Sequence, residues 1–206
     1  MDTDRRIGSR DSATRSLLID LAIDLMEAEG QNAVTVRRLA ELSGLSRQIV
    51  HYYFVSMEYL YLAVVDRTTK RYLEHQKEAL RSSTPLRAVW DLLSNRRAVK
   101  LEIEFLALAN QFDSVRELLT ERMNASRDMQ AEIIDQIASE DNGEATCGLP
   151  PDAIPVYLMG IARAIYLEEN LGVSRGHEEA LNHIEQHIRL FDSKWKGQPP
   201  SEDEPA

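Results

Sequence analysis

The stretch Thr35-Val36-Arg37-Arg38-Leu39-Ala40-Glu41-Leu42-Ser43-Gly44-Leu45-Ser46-Arg47-Gln48-Ile49-Val50-His51-Tyr52-Tyr53-Phe54 reads as two short helices meeting at a tight corner. Thr35 and Ser46 are residues whose side-chain oxygens satisfy the first free N–H groups of a helix. Gly44 can take the left-handed backbone of a sharp turn, and Leu45 can plug the corner. The first helix then runs over 36–42, and the second from Arg47 to about Phe54.

With Val50 pointing inward and about 100° per residue, Arg47, Tyr53 and Phe54 lie within about 60° of it. Gln48 and Tyr52 point the opposite way, flanked by Ile49 and His51. A short helix with a polar outer face, set by a glycine turn against a second helix, is a shape the major groove of DNA accepts. Gln48 can pair with an adenine edge, and Ile49 or Tyr52 can meet a thymine methyl. Arg47 reaches guanine or phosphate, whereas Thr35 and Arg37 at the start of the preceding helix can hold a phosphate.

The net charge of −10 is distributed unevenly enough to permit this. Residues 1–54 carry seven Lys/Arg and eight Asp/Glu, so most of the excess acid lies further along. Phosphate contacts act within about one Debye length, roughly 8–10 Å, and local charge therefore outweighs the total. Arg5, Arg6 and Arg10 are read as a frayed tail, with a basic arm as the alternative.

Upstream, Leu18, Leu21, Ala22, Leu25 and Ala28 recur at helical spacing from Ser12 onward, and Gly30 closes that helix. Downstream, a long helix starts near Ser56 and continues to about Leu80. Pro85 opens another, Val99–Phe112 is apolar on most sides, and a further helix spans about Ser114 to Ser139. Asp152 can cap a helix running to about Leu171, with Pro155 in its first turn. The last helix aligns His177, Leu181, Ile184, Ile188, Phe191 and Trp195 in steps of four and three. The whole reads as all-α, about nine helices: a helix-turn-helix domain over 1–55, a larger regulatory and dimerisation domain over 56–197, and a disordered acidic tail over 198–206.

In order and spacing, Leu21-Ala22 through Gly30, Thr35-Val36, Leu39-Ala40, Gly44-Leu45-Ser46, Tyr53-Phe54 and Ser56-x-Glu58-x-Leu60 resemble the signature of the tetracycline-repressor (TetR) family. The resemblance covers about the first 65 residues. It implies a three-helix DNA-binding domain that uses Thr35, Arg37, Arg47, Gln48, Ile49, His51, Tyr52 and Tyr53, followed by a helical regulatory domain and a homodimer built on the last two helices. Three positions depart from the family: Ile49 stands where Thr or Ser is usual, His51 where Tyr is usual, and Met57 where Lys is usual. Each departure removes or weakens a phosphate contact.

The dimer surface is expected from Leu158, Ile161 and Ile165 on one helix and Leu181, Ile184, Ile188 and Phe191 on the other, with Gly160, Ala162 and Ala164 permitting close approach. The same residues could instead fill an intramolecular core. An effector pocket is sought among Trp90, Phe105, Leu108, Met123, Met159 and Tyr166 as apolar walls, with Glu104, Asn110 and Arg163 as polar anchors. Core packing and salt bridging account for those residues equally well.

Glu179, His183 and His187 are spaced like metal ligands but read as surface or interface residues, since no cysteine or further ligand joins them. No metal or cofactor is expected. The lone Cys147 cannot form an intramolecular disulfide, which suits a reducing cytoplasm, and as a loop thiol with no basic neighbour it reads as inert. The first residues lack a signal-peptide pattern, and no apolar run approaches a membrane span. The expected function is a DNA-binding regulator, most simply a repressor released by a small molecule. Two other readings stay open: a helical ligand-binding or adaptor protein without DNA binding, and a small helical enzyme. Against the enzyme, no nucleophile-plus-base set and no phosphate-cradling glycine loop is present.

Overall fold

The structure, a computed structural model, describes residues 12–140 and 149–195. Arg5, Arg6, Arg10, Cys147 with most of its loop, and the tail over 198–206 lie outside the described residues. The described residues form nine α-helices and no strand: α1 (Ala13–Glu29), α2 (Val36–Ser43), α3 (Arg47–Tyr53), α4 (Met57–Leu80), α5 (Pro85–Leu93), α6 (Arg96–Ala109), α7 (Asp113–Glu140), α8 (Ala153–Asn170) and α9 (His177–Lys194). One 3-10 turn, Gln31–Ala33, follows α1.

Side-chain caps set several of these starts. Ser12 accepts from Arg15 N at 3.1 Å, Thr35 from Arg38 N at 3.2 Å, Ser46 from Ile49 N at 3.4 Å and Ser56 from Tyr59 N at 3.4 Å. α6 begins three residues before the expected Val99 because Asn95 Oδ1 accepts from Ala98 N at 3.1 Å. Asp152, the expected cap of α8, makes no capping hydrogen bond.

The chain divides into two compact units, and the first is larger than the expected 1–55. It runs to Lys70 and takes in Lys100–Glu121. Leu60, Val64 and Val65 of α4, with Leu101, Phe105 and Leu108 of α6, are buried with Leu18, Met26, Leu39, Val50 and Phe54 in one core. The three helices cannot bury enough apolar surface alone, so the first part of α4, the later part of α6 and the start of α7 complete the core. Arg67 of α4 ties α1 from the side, donating to Asp20 Oδ1 at 2.8 Å and to Ser16 O at 3.2 Å.

The second unit comprises Arg71–Val99 and the residues from Arg122 onward. Its core gathers Leu86, Trp90, Ile134, Ile154, Leu158, Ala162, Ile184, Ile188 and Phe191. Gln76, fully buried, exchanges hydrogen bonds with Ser126: its Nε2 donates to the Ser126 carbonyl at 2.8 Å, and the Ser126 hydroxyl donates to its Oε1 at 2.6 Å. α5 has no cap from its own Thr84. Asp192 of α9 supplies it, accepting from Leu86 N at 3.0 Å and Arg87 N at 3.1 Å. Burial pushes the Asp192 carboxyl above its ordinary range, against the lowering effect of those two N–H groups and Arg87. Arg87 also pairs with Glu185, whose carboxyl its hydrogen bond holds below the usual range, aided by that of Arg189.

This core corrects the expected dimer surface. Leu158, Ile184, Ile188 and Phe191 are between 1% and 6% exposed within their own chain, and area already buried cannot be buried again against a partner. Ile161 and Ile165 are half-buried, and only Leu181 of that set is exposed, at 39%. The outward face of α8 carries a different set: Tyr157, Gly160, Ala164, Leu167 and Leu171 are exposed at steps of three and four. Phe191→Ala should lower unfolding stability by about 3–5 kcal/mol, and Leu190→Ala, on the exposed neighbouring position, by no more than about 0.5. Urea denaturation followed by circular dichroism measures both; equal losses would contradict the inward assignment of Phe191.

Candidate nucleic-acid interface

The corner formed by α2 and α3 begins with the glycine that the sequence requires. Gly44 has φ of 69°, a left-handed conformation that costs glycine least, and Ser43 Oγ accepts from Leu45 N at 3.3 Å across the turn. α3 is only seven residues long, too short to persist by its own hydrogen bonds. It is held by the Ser46 cap and by Val50, 1% exposed, and Phe54, 4% exposed, in the first core.

Inward burial of Val50 leaves Arg47, Gln48, Ile49, His51 and Tyr52 exposed, with Tyr52 at 51% and Ile49 at 39%. Tyr53 is half-buried against the core, its ring edge-on to Tyr52 with centroids 5.2 Å apart. Thr35 and Arg37 are exposed at the start of α2; the Thr35 oxygen is engaged as a cap, and Arg37 lies 3.7 Å from Glu41. Arg38 is turned away onto Glu29 at 2.6 Å. The exposed side of the corner therefore offers two arginines, an amide and a tyrosine hydroxyl, with Ile49 among them.

Glu104 has a role that its expected place as a pocket anchor did not suggest. Its Oε2 accepts from Gln31 N at 2.7 Å, and its Oε1 would stand 3.3 Å from a Cβ added at Gly30, where φ is 85°. It caps the 3-10 turn that delivers the chain into α2. The visible signal is an acid between Ile103 and Phe105 that interrupts an otherwise apolar stretch. Lys100 Nζ donates to Ala28 O at 3.4 Å one turn earlier, and Ser114 Oγ donates to Glu58 Oε1 at 2.5 Å, so α6 and α7 both hold the DNA-reading unit. Tyr61, its hydroxyl 3.5 Å from Val34 O, has its ionisation pushed up by burial.

The other expected pocket residues do not form one group. Phe105 and Leu108 are buried in the first core, and Asn110 is exposed in the same unit. Trp90 belongs to the second core, Met123, Met159 and Arg163 are half-buried, and Tyr166 packs its ring against Arg96, 5.7 Å from the centroid. A cavity of about 10 Å³ in the second unit is lined by Leu80, Leu86, Val89, Gln130, Ile134 and Leu158 among others, and by none of the nine. Among the described residues no three His, Cys, Asp or Glu side chains converge, and no helix is long and apolar enough to cross a membrane.

Comparison with known proteins bears directly on this corner. The family model "Bacterial regulatory proteins, tetR family" matches residues 18–64, the span holding α1, α2, α3 and the start of α4. Residues 18–64 therefore carry a tetR-family domain. An HTH-type transcriptional regulator from the dhlA 5′ region of Xanthobacter autotrophicus is 27% identical over 153 residues, 67% of this chain and 74% of that protein. Among solved structures, a transcriptional regulator of Saccharomonospora viridis in complex with choline aligns with TM-score 0.68 and 18% identity, covering 87% of this chain and 95% of that one. A TetR-family regulator of Mesorhizobium loti aligns at 0.66 and 17%, covering 90% and 98%. These likenesses extend the shared fold well beyond the matched domain.

Replacing Glu104 by Ala should destabilise the protein by about 1–2 kcal/mol, because the part-buried Gln31 N–H loses its acceptor. Glu104→Gln should recover part of that, and thermal unfolding of the three proteins tests it; an Ala variant as stable as the parent would remove the capping role.

Proposed function

We propose that this tetR-family protein is a cytoplasmic, non-catalytic transcriptional regulator that binds a palindromic DNA site as a homodimer and is released from it by a small molecule, acting as a repressor. The observation that carries the reading is the polarity of α3: Val50 is buried while Gln48 and Tyr52, on the other side, are exposed. Gln48 reads an adenine edge, Ile49 or Tyr52 contacts a thymine methyl, Arg47 contacts guanine or phosphate, and Thr35, Arg37, His51 and Tyr53 contact the backbone.

A palindrome needs two copies. The exposed face of α8, with Gly160 and Ala164 admitting a close neighbour and Tyr157, Leu167 and Leu171 supplying apolar area, is the surface for pairing, with Leu181 of α9 at its side. The effector acts by linkage: a hundredfold preference for one state of the regulator corresponds to about 2.7 kcal/mol. Small-molecule sites occupy about 300–1,000 Å³, far above the cavity of about 10 Å³ in the second unit, so that cavity is not proposed as the effector site. Trp90, Met123, Met159, Arg163 and Tyr166 remain the candidate contacts. Choline, bound by the Saccharomonospora relative, is the first compound to try.

The reading in which DNA binding has been lost draws on Ile49, His51 and Met57, and the same experiment decides it. Selection from random duplex DNA should return a palindrome with half-sites a whole number of helical turns apart, and affinity should fall steeply with salt. Gln48→Ala should change base preference at one position per half-site, costing about 1–3 kcal/mol there, whereas Arg37→Ala should weaken all sequences alike and reduce the salt slope by about 1. No enrichment at low ionic strength would support the adaptor reading. Ala164→Glu should yield monomers in sedimentation and lose cooperative operator binding; a dimer that survives it would move the interface elsewhere.

A further inference from the structure

We propose that His183 and His187 on α9 form a two-imidazole binding site for a divalent late transition-metal ion of the Cu²⁺ or Ni²⁺ kind. The sequence spacing alone put the two side chains on one face. The structure adds that the same nitrogen of each ring, Nε2, converges, 2.9 Å apart, with the rings nearly perpendicular and their centroids 4.2 Å apart. Bonds of about 2.0–2.1 Å to a metal separate two nitrogens by about 2.9 Å at a right-angled bite and about 3.4 Å at a tetrahedral one. Imidazole nitrogens suit late first-row metals, and within that row affinity rises toward Ni²⁺ and Cu²⁺.

In the metal-free pair, one Nε2 carries the proton and the other accepts it. Coordination needs a lone pair on both, so the bridging proton leaves Nε2, either for Nδ1 of the same ring or for water, and the rings turn toward the ion.

The scaffold is rigid. Each histidine directly precedes a core residue, Ile184 at 3% exposure and Ile188 at 1%, so the helical turn carrying both is anchored on its other side. His177, by contrast, has its Nε2 against the Glu168 carboxylate at 2.6 Å. With no third His, Cys, Asp or Glu converging among the described residues, the remaining coordination positions fall to water. The site is independent of the DNA-binding reading.

Isothermal titration of the full, untagged, metal-free chain with Ni²⁺ tests it. One equivalent per chain is expected, with affinity reduced at least tenfold in His183→Gln and in His187→Gln and unchanged in His75→Gln. Ni²⁺ should raise the melting temperature of the parent and of His75→Gln only, and circular dichroism without metal confirms that the variants fold. Absence of binding up to millimolar Ni²⁺, or parent-like affinity in either pair variant, would overturn the site.

Discussion

Burial of Val50 is the constraint on which the DNA-reading corner depends. A seven-residue helix has almost no cooperative stability of its own, and α3 has one side chain fully inside the core along its length. That side chain fixes the rotation of the helix about its axis. Once Val50 is inward, Gln48 and Tyr52 have nowhere to point but out, and the Ser46 cap fixes where the helix begins. Orientation here comes from packing, and hydrogen bonding sets only the boundary.

Distant side chains carry out the same kind of work at two other points. Glu104 caps the 3-10 turn from a position 73 residues further on, and Asp192 caps α5 from 106 residues away. Both carboxylates satisfy N–H groups that the local sequence leaves without an acceptor. A charged acceptor placed from another element both ends the local ambiguity and ties two elements together. Within the first unit, this links α6 to the chain entering α2, so the corner is seated on α6 as well as on α1.

The last two helices show how one pattern can serve opposite ends. Sustained apolar steps of four and three along α9 are what an interhelical seam requires, whichever chain supplies the other side. Here α5 and α8 of the same chain supply it, and the outward face of α8 stays exposed. The histidines beside the buried isoleucines gain their fixed geometry from that inward packing.

How much was legible in the sequence follows from the range of each interaction. The helix-turn-helix was readable because its determinants are local: Thr35, Ser46 and Gly44 act within three residues of themselves, and a 100° step from Val50 assigns every face of α3. The all-α class and most helix boundaries follow from periodicity for the same reason. Periodicity does not reveal which surface meets a stripe, so Leu158, Ile184, Ile188 and Phe191 were readable as buried but not as buried at home. Nor does it reveal the partner of an isolated acid, and Glu104 could be noticed but not placed. The sequence by itself determined the helices, their caps and the outward residues of α3, because those depend on neighbours along the chain; only the tertiary structure decided the domain boundary inside α4, the distant carboxylate caps and the meeting of two imidazoles, because those depend on neighbours in space.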